Sequence, residues 1–326
     1  MNNLKLQNSF AHDLVCPVCK HQLINQSNVS YDCRNQECSK KFPIVDGCPV
    51  VINETNSVFN IDDYIARKIT TMDLRDVSEK KKTSYDKGKY WFSRLTPSIS
   101  RSVNDFPPNL ALEEIIADID CPPKVLVIGS GDAEIELQGK CELIYSDVAI
   151  GHLTQLVCDA HDIPFPENYF DAIIAIAVFE HVADPYRCVD EVYRVLKKRG
   201  FVYSITPFMQ QVHMGRYDFT RFTYLGHRRL FRRFTEVRSG VSNAQGMVLA
   251  WSIERFVSGF SGNSSIHSML RTVARFFAFP FLFFDHILAH KAPSFDSASG
   301  YYFFGKKSDH VLSDRDLING YRGMIL

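Results

Sequence analysis

The stretch that decides the fold is residues 124–159, where three apolar runs follow one another at short intervals. They are KVLVIGSG (124–131), LIYSDVAI (143–150) and LVCD (156–159). Runs of this kind are typical of strands buried on both faces of a parallel sheet. The carboxyl ends of such strands are where open α/β sheets bind ligands. We therefore predict an α/β domain whose ligand site lies where these runs end.

The residues at the three run ends suit a ligand. Gly129 and Gly131 end the first run, and glycine lets a backbone approach a bound group closely. Asp147 and Asp159 end the other two runs. An ionised carboxylate has two strong acceptor oxygens, which can take both hydroxyls of a ribose. Taken singly, either aspartate could instead be a helix cap or a loop acid, and a lone G-x-G pattern is weak.

A longer pattern follows the third run. Residues 159–200 read DAHDIPFPENYFDAIIAIAVFEHVADPYRCVDEVYRVLKKRG. Together with the opening stretch, this line resembles the class I S-adenosylmethionine (SAM)-dependent methyltransferases, in particular those of the methyltransferase type 11 group. The resemblance implies an α/β fold with a Rossmann-like seven-stranded sheet that is mostly parallel, its last strand being antiparallel.

The resemblance also assigns roles around the cofactor SAM. Gly129 and Gly131 would let the backbone pass the methionine portion, and Asp147 would bind the two ribose hydroxyls. Asp159 would accept the adenine amino group, while the backbone of Ala160 contacts the ring.

Three residues concern the family's usual glycine motif. The acid that normally precedes the glycines is replaced by Val127, and the third glycine by Ala133. Asp132 lies nearby and could partly substitute for the missing acid. These departures keep open a catalytically inert methyltransferase-fold protein that binds a partner.

Composition restricts the functional class. The chain has 326 residues, is 45% hydrophobic, and has a formal net charge of zero, which disfavours a nucleic-acid partner without excluding one. The N-terminus lacks an apolar signal region, and no apolar stretch reaches the length of a membrane span, so we expect a cytoplasmic protein. Nine cysteines in such a chain indicate metal binding rather than disulfides.

Four of these cysteines form two pairs near the N-terminus. Cys16 and Cys19 make a C-x-x-C knuckle, and Cys33 and Cys38 make a wider one. Zinc takes four such ligands in a tetrahedron, and a module of about fifty residues needs a staple of this kind. The alternative is a set of unligated, partly buried thiols. We predict a structural zinc site in residues 1–52.

The same module resembles the small zinc ribbons related to the Trm112 methyltransferase activator. The resemblance rests on LVCPVCKHQL, YDCRNQEC and the line FPIVDGCP at 42–49. Cys48 occupies a position that is usually isoleucine, so we expect a small buried side chain there rather than a fifth ligand.

The predicted organisation has four parts. They are a zinc ribbon (1–52), a linker with N-terminal helices (53–120), a class I methyltransferase domain (121–310) with a substrate insertion around 207–300, and a C-terminal tail (311–326). The predicted strands of the large domain are 124–128, 142–146, 155–158, 171–177, 201–206, 234–239 and 301–305. Helices are expected at 109–119 and from Pro185, the second ending at Gly200. Trp91 and Phe92 would either cover the SAM pocket or pack between domains.

Candidate catalytic residues follow two strands. His181 comes after the fourth strand and His213 after the fifth, and either could accept a proton from a hydroxyl nucleophile. The alternative for His181 is that it only shapes the pocket. Residues 213–223, HMGRYDFTRFT, resemble methyltransferases found with surface-polysaccharide biosynthesis. Asp218 and Arg221 in this line would bind acceptor or orient His213, or else form a structural ion pair.

Several acceptor classes agree with the sequence. We expect O-methylation of a sugar or other small molecule in a polysaccharide-type pathway, with an RNA or translation-factor methyltransferase as the alternative. The aromatic run RFFAFPFLFFD (275–285) is too short to span a membrane. It would be a lid over an apolar acceptor, a peripheral membrane contact, or a segment buried against the core or a homodimer partner.

Overall fold

The computed structural model describes residues 4–68, 71, 96–119, 122–131, 134–135 and 140–325, and all structural statements concern these. The helices are α1 Asn8–Ala11, α2 Ile61–Ile65, α3 Pro108–Asp118, α4 Pro185–Val195, α5 Tyr224–Leu230, α6 Gln245–Ser258, α7 Ser264–Ala278, α8 Asp285–Leu288, α9 Ser294–Ser297 and α10 Asp314–Asn319. Short 3₁₀ segments lie at Ala160–Asp162, Gly215–Tyr217 and Phe279–Phe284.

The strands form two sheets. The small sheet has the order β1-β2-β3-β4 and the large one the order β10-β11-β9-β8-β5-β6-β7. The small-sheet strands are β1 Leu23–Gln26, β2 Ser30–Cys33, β3 Lys41–Val45 and β4 Cys48–Pro49. The large-sheet strands are β5 Lys124–Ile128, β6 Glu142–Asp147, β7 Leu156–Val157, β8 Phe170–Ile176, β9 Leu196–Pro207, β10 Phe234–Asn243 and β11 Gly300–Lys307.

Strand directions confirm the expected methyltransferase sheet. Strand β5 is parallel to β6 and β8, while β7 and β9 continue the parallel order on either side. Strand β11 is antiparallel to both β9 and β10. Since β5 lies in the middle with β6 on one side and β8 on the other, their carboxyl ends meet at one edge of the sheet.

The predicted end of the helix before β9 is wrong. Helix α4 stops at Val195, and β9 starts directly at Leu196. Strand β9 has three more residues than β8 at this point, because Leu196 pairs with Phe170 and Phe201 with Ala172. Gly200 therefore lies within the strand, where a Cβ atom would sit 3.1 Å from the Asp171 carbonyl oxygen. Gly200 therefore allows this close contact between strands and does not terminate the helix.

The small sheet packs directly on the large one. Val50 pairs in parallel with Val157 at the end of the large sheet, and the Val51 N–H donates to the Val157 carbonyl at 2.8 Å. The ring of Phe10 lies 6.3 Å from that of Phe170 and 6.4 Å from that of Phe165. The ribbon and the sheet thus share one hydrophobic core.

The insertion between β10 and β11 is helical. Helices α6 and α7 are joined by buried Glu254, which accepts from Arg271 at 2.9 Å and from Arg275 at 2.5 Å. Buried Asp285 accepts from the first backbone N–H groups of α6, at Gly246 and Met247. These contacts fix the insertion as a unit beside the sheet.

The aromatic run of the insertion is largely exposed. Ala278 and Leu282 are buried, but Phe276, Phe277, Phe283 and Phe284 are each more than half exposed. Of the alternatives for this run, burial against the core is wrong for those four rings. No helix in the described part of the chain is long and apolar enough to cross a membrane.

Candidate functional site

A pocket of about 310 Å³ opens at the carboxyl ends of the central strands. Its wall combines the residues predicted to hold a cofactor with both candidate catalytic histidines. The described residues that line it include Gly129, Gly131, Asp147, Asp159, Ala160, His181 and His213. The volume lies in the range of small-molecule and cofactor sites.

The glycine turn after β5 forms one wall. Gly129 has φ +66°, and a Cβ atom there would lie 2.5 Å from Cγ2 of Val178. Gly131 has φ +49° and faces open space. Both conformations favour glycine, and together they leave backbone bare against the pocket. The turn therefore fits a ligand that lies directly against the main chain.

Asp147 ends β6 and faces this turn. One carboxylate oxygen accepts from the Gly131 N–H at 3.0 Å, and the other accepts from the Ala149 N–H at 2.9 Å. These bonds fix the carboxylate at the pocket wall. Val127, which replaces the family's acid, is buried in β5, while Asp132 and Ala133 lie outside the described residues.

Asp159 lies after β7 and is only 4% exposed. Its Oδ1 accepts from the backbone N–H and the Nδ1 of His161, the latter at 2.6 Å, and its Oδ2 accepts from the Ser57 hydroxyl at 2.5 Å. Burial alone would raise the pKa of Asp159, but the hydrogen bonds from His161 and Ser57 lower it. Because the Asp184 N–H donates to Nε2 of His161, the His161 proton is on Nδ1. The buried carboxylate is thereby kept ionised and oriented.

The segment after the ribbon closes the pocket, which sequence reasoning missed by assigning 53–120 to a linker with N-terminal helices. Asn53 and Asn56 each donate to Asp162 at 3.1 Å. Phe59 stacks on Tyr217 with ring centroids 5.7 Å apart, and both rings line the pocket. A run of short polar side chains is the signal in the sequence, but its partners are more than a hundred positions away. Trp91 and Phe92, predicted either to cover the pocket or to pack between domains, lie outside the described residues.

The two candidate bases lie against each other. Nε2 of His181 is 3.0 Å from Nε2 of His213, and Nδ1 of His181 donates to the Tyr217 carbonyl at 2.9 Å. Beside them is Glu180, to which sequence reasoning gave no role, although it directly precedes His181. Its side chain is fully buried, and burial raises the pKa of Glu180 to about 8. Burial also lowers the pKa of His181 and of His213.

Asp218 and Arg221 form a half-buried ion pair behind the histidines. Nη2 of Arg221 donates to Oδ2 of Asp218 at 2.6 Å, and the guanidinium also donates to the carbonyl of Gln210. The same carboxylate oxygen accepts from the His213 N–H at 2.9 Å. Burial would raise the pKa of Asp218, but these donors lower it to about 2. The described residues that line the pocket include neither Asp218 nor Arg221, so their contacts hold the loop of His213.

The four ribbon cysteines come together in the small domain. Sγ of Cys16 lies 3.8 Å from that of Cys38, and Sγ of Cys19 lies 3.4 Å from that of Cys33. Four thiolates about 2.3 Å from one zinc ion in a tetrahedron would be about 3.8 Å apart, so the arrangement fits zinc. Cys48 is fully buried and donates to the Thr154 carbonyl, as expected of a residue outside the cluster. The eight described cysteines are all free thiols.

Comparison with known proteins supports the resemblance to methyltransferases. The profile of a family described as a methyltransferase domain matches residues 137–204. The chain is 25% identical over 178 residues to rice 2-methyl-6-phytyl-1,4-hydroquinone methyltransferase 1, covering 47% of this chain and 53% of the rice protein. It is 54% identical over 39 residues to Arabidopsis thaliana cycloartenol-C-24-methyltransferase, 12% of either chain. The chain thus spans about half the length of the rice relative.

Solved structures also resemble the chain, at 15% identity. A Haloferax volcanii complex of the Trm112 methyltransferase activator with a methyltransferase has a TM-score of 0.36 and covers 61% of this chain and 89% of that one. Haemonchus contortus phosphoethanolamine N-methyltransferase 2 with SAM has a TM-score of 0.39 and covers 73% and 60%. The fold assignment rests on the strand order itself. The domain match and the curated relatives support a SAM-dependent methyltransferase.

Proposed function

We propose that this protein transfers the methyl group of SAM to a hydroxyl of a sugar or other small-molecule acceptor. The observation that carries the proposal is that one pocket contains both the bare glycine turn beside Asp147 and the His181–His213 pair. A methyl donor held at the first and a hydroxyl held at the second would share the same space. Methyl transfer needs this proximity above all, because the nucleophile must approach the methyl carbon in line with sulfur.

Within this proposal, the cofactor lies along the strand ends. The backbone at Gly129 and Gly131 would pass the methionine portion, and Asp147 would take the ribose hydroxyls. Asp159 and the backbone of Ala160 would receive the adenine. The hydrogen bonds from Ser57 and His161 would keep Asp159 an ionised acceptor.

The histidines supply the acid–base chemistry in this proposal. An oxygen nucleophile must lose its proton as the O–C bond forms, and a neutral imidazole is the usual acceptor. Burial lowers the pKa of both His181 and His213, which keeps them unprotonated at neutral pH. Either ring is thereby prepared to act as a base.

The exposed surface of the insertion bears on where the protein encounters its acceptor. The curated relatives are named for a phytyl hydroquinone and for cycloartenol, which are strongly apolar acceptors. Six phenylalanine side chains of the insertion are more than half exposed and are called its aromatic surface: Phe256, Phe260, Phe276, Phe277, Phe283 and Phe284. Large exposed apolar patches usually mark a contact. We propose that this surface rests on a membrane that presents a lipid-linked acceptor.

The ribbon is proposed to hold a structural zinc ion through Cys16, Cys19, Cys33 and Cys38. Closed sites with four cysteines stabilise small domains and take no part in chemistry. Because the segment that closes the pocket follows the ribbon directly, a loaded ribbon would hold that segment in place.

Cofactor binding tests the first step. Calorimetry with purified protein should detect SAM, and Asp147→Ala should abolish the heat while leaving the unfolding temperature within a few degrees. A matched control is Asp309→Ala, at an exposed aspartate of the loop after β11. A well-folded wild type that binds no SAM would support the inert binding protein instead.

The acceptor class is tested by labelling. Lysate from cells lacking the protein is incubated with radiolabelled SAM and the enzyme, then separated into RNA, protein, and lipid or glycan fractions. Label in the lipid or glycan fraction as a methyl ether supports the proposal. Label confined to RNA or to protein would refute it in favour of the alternative class.

A further inference from the structure

Three ligand atoms converge at the rim of the pocket. Nε2 of His181 and Nε2 of His213 are 3.0 Å apart, and Oε1 of Glu180 lies 3.6 Å from the first and 3.9 Å from the second. The carboxylate distances are too long for hydrogen bonds. Among the described residues, neither oxygen of the fully buried Glu180 side chain has a hydrogen-bond partner. A buried carboxylate in this condition is costly unless something else satisfies it.

The ring protons of the two histidines determine which nitrogens can bind a metal ion. Nδ1 of His181 faces the Tyr217 carbonyl and must carry the ring proton, so its Nε2 presents a lone pair. Nδ1 of His213 lies 3.5 Å from Oδ2 of Asp218 and makes no hydrogen bond within the described residues. Without a metal ion, a proton on Nε2 of His213 would donate to Nε2 of His181, and a bound ion would take the place of that proton. Two imidazole nitrogens and one carboxylate oxygen would then point at the same ion.

The spacing suits a metal ion. A triangle with sides of 3.0, 3.6 and 3.9 Å has a circumscribed circle of radius about 2.1 Å. A point in its plane is therefore about 2.1 Å from all three atoms, which is the usual distance from zinc to a histidine nitrogen or a carboxylate oxygen. Sets of two histidines and one glutamate hold catalytic zinc with a fourth position open.

The surroundings are those that orient metal ligands. A histidine ligand usually donates its other ring N–H to a carbonyl or a carboxylate. Tyr217 offers the carbonyl to His181. The Asp218 carboxylate lies 3.5 Å from Nδ1 of His213, and the ion pair with Arg221 holds that carboxylate in place.

We propose that Glu180, His181 and His213 bind a divalent transition-metal ion such as Zn²⁺, with an open coordination position toward the pocket. The role of the ion rests on the proposed function and replaces the histidine base in it: both Nε2 atoms would be ligands, and the acceptor hydroxyl would take the open position, where the ion lowers the pKa of that hydroxyl. Its O–H bond breaks with the proton passing to solvent water, the O–C bond to the methyl group forms, and the C–S bond breaks. The electron pair remains on sulfur, giving S-adenosylhomocysteine.

Metal content per chain tests the site. Protein purified from zinc-supplemented cells should contain two zinc ions, one in the ribbon and one here. Glu180→Gln and His213→Asn should each retain only one, and the exposed His290→Asn should retain both. Cobalt separates the two sites, since cobalt bound to thiolates absorbs strongly in the near ultraviolet while the histidine–glutamate site adds only weaker visible bands. One metal per chain in wild type, or two in His213→Asn, would overturn the proposal.

Binding of SAM separates this inference from the proposed function. Calorimetry should give the same SAM affinity within threefold for His213→Asn and wild type, because the metal contacts the acceptor and not the cofactor. Methyl transfer should fall at least a hundredfold in this variant. If wild type holds two metal ions but transfers no methyl group, the metal site is confirmed and the proposed reaction is wrong. If methyl transfer is unchanged after the second ion has been removed, the proposed role of that ion in the reaction is wrong.

Discussion

The absence of a Cβ atom at Gly129 leaves room for a ligand at the pocket wall. Its left-handed φ of +66° costs an L-residue about 1–2 kcal/mol, and an added Cβ would also meet Val178 at 2.5 Å. Gly129→Ala should lower the free energy of unfolding by at least that amount and weaken SAM binding more than tenfold. Denaturant titration and calorimetry measure both. Gly262→Ala, at a glycine with open space around it, should change neither, and a SAM affinity kept by Gly129→Ala would contradict the assignment of the turn.

His227 should make stability depend on acidity. The ring is 2% exposed, and burial followed by the charge of Arg228 lowers the pKa of His227 to about 3. The unfolded chain takes up a proton below its ordinary pKa of about 6.5, whereas the folded chain does not, so stability falls as pH drops from about 6.5 toward 3. His227→Phe should make this slope shallower by up to about 1.4 kcal/mol per pH unit. Urea titrations between pH 7 and 5 measure the slope.

The control for this experiment is His310→Gln, at an exposed histidine. Its slope should match that of wild type. Equal slopes for His227→Phe and wild type would show that His227 is protonated in the folded state, against the burial that lowers its pKa.

Residues at strand ends were predictable, whereas those that act through distant contacts were not. Asp147 and Asp159 follow apolar runs, so the pattern alone brings them to one edge of the sheet. Glu180 lies in a common motif, and its importance depends on His213, which is 33 positions away and reaches it through a loop. Ser57 meets Asp159 only because the small sheet packs on the large one. No local periodicity reports such pairings.

At the scale of elements, apolar runs placed the strands well and failed where one element passes directly into another. Strand β5 has the predicted bounds. Between α4 and β9 there is no connecting loop, and the polar residues Lys197, Lys198 and Arg199 belong to the strand. They lie at its start, where Lys197 pairs with Asp171 at 2.8 Å. The helical pattern would have run on to Gly200, but pairing with β8 already begins at Leu196.

The zinc ribbon should determine whether the segment that closes the pocket is held in place. Its last strand leads into Val50 and Val51, which pair with β7, and then into Asn56 and Phe59 at the pocket wall. Removing its zinc with a chelator should therefore lower the unfolding temperature and weaken SAM binding at least tenfold. Thermal unfolding and calorimetry before and after removal of the metal measure this, and restored zinc should reverse it.

A variant separates the ribbon from the histidine site. Cys19→Ser should reproduce the chelator's effect on SAM binding, while Cys48→Ala, outside the cluster, should keep full metal content. Unchanged SAM affinity in a ribbon shown to be metal-free would mean that the pocket segment holds itself.

The molecule as a whole is organised around one shared core. The N-terminal module meets the sheet through Phe10 and Val50 at one end, while the helical insertion lies between β10 and β11 at the other. The pocket is therefore framed by the ribbon-derived segment and by the loops after β8 and β9. The sequence predicted both modules, but their joint enclosure of the pocket depends on packing between surfaces far apart in the chain.

The exposed aromatic surface of the insertion gives a prediction for the whole molecule. Burying one phenylalanine side chain contributes roughly 1.5–3 kcal/mol, so two that enter a membrane interface should govern binding to it. Phe277 is 73% exposed and Phe284 is 56% exposed. The double variant Phe277→Ser with Phe284→Ser should lower the fraction that sediments with phosphatidylcholine–phosphatidylglycerol vesicles more than tenfold. Val29→Ser, at a 69% exposed position of the ribbon, should leave it unchanged. If wild type does not sediment, and instead forms a dimer that the double variant breaks, the surface is a homodimer interface and the membrane proposal fails.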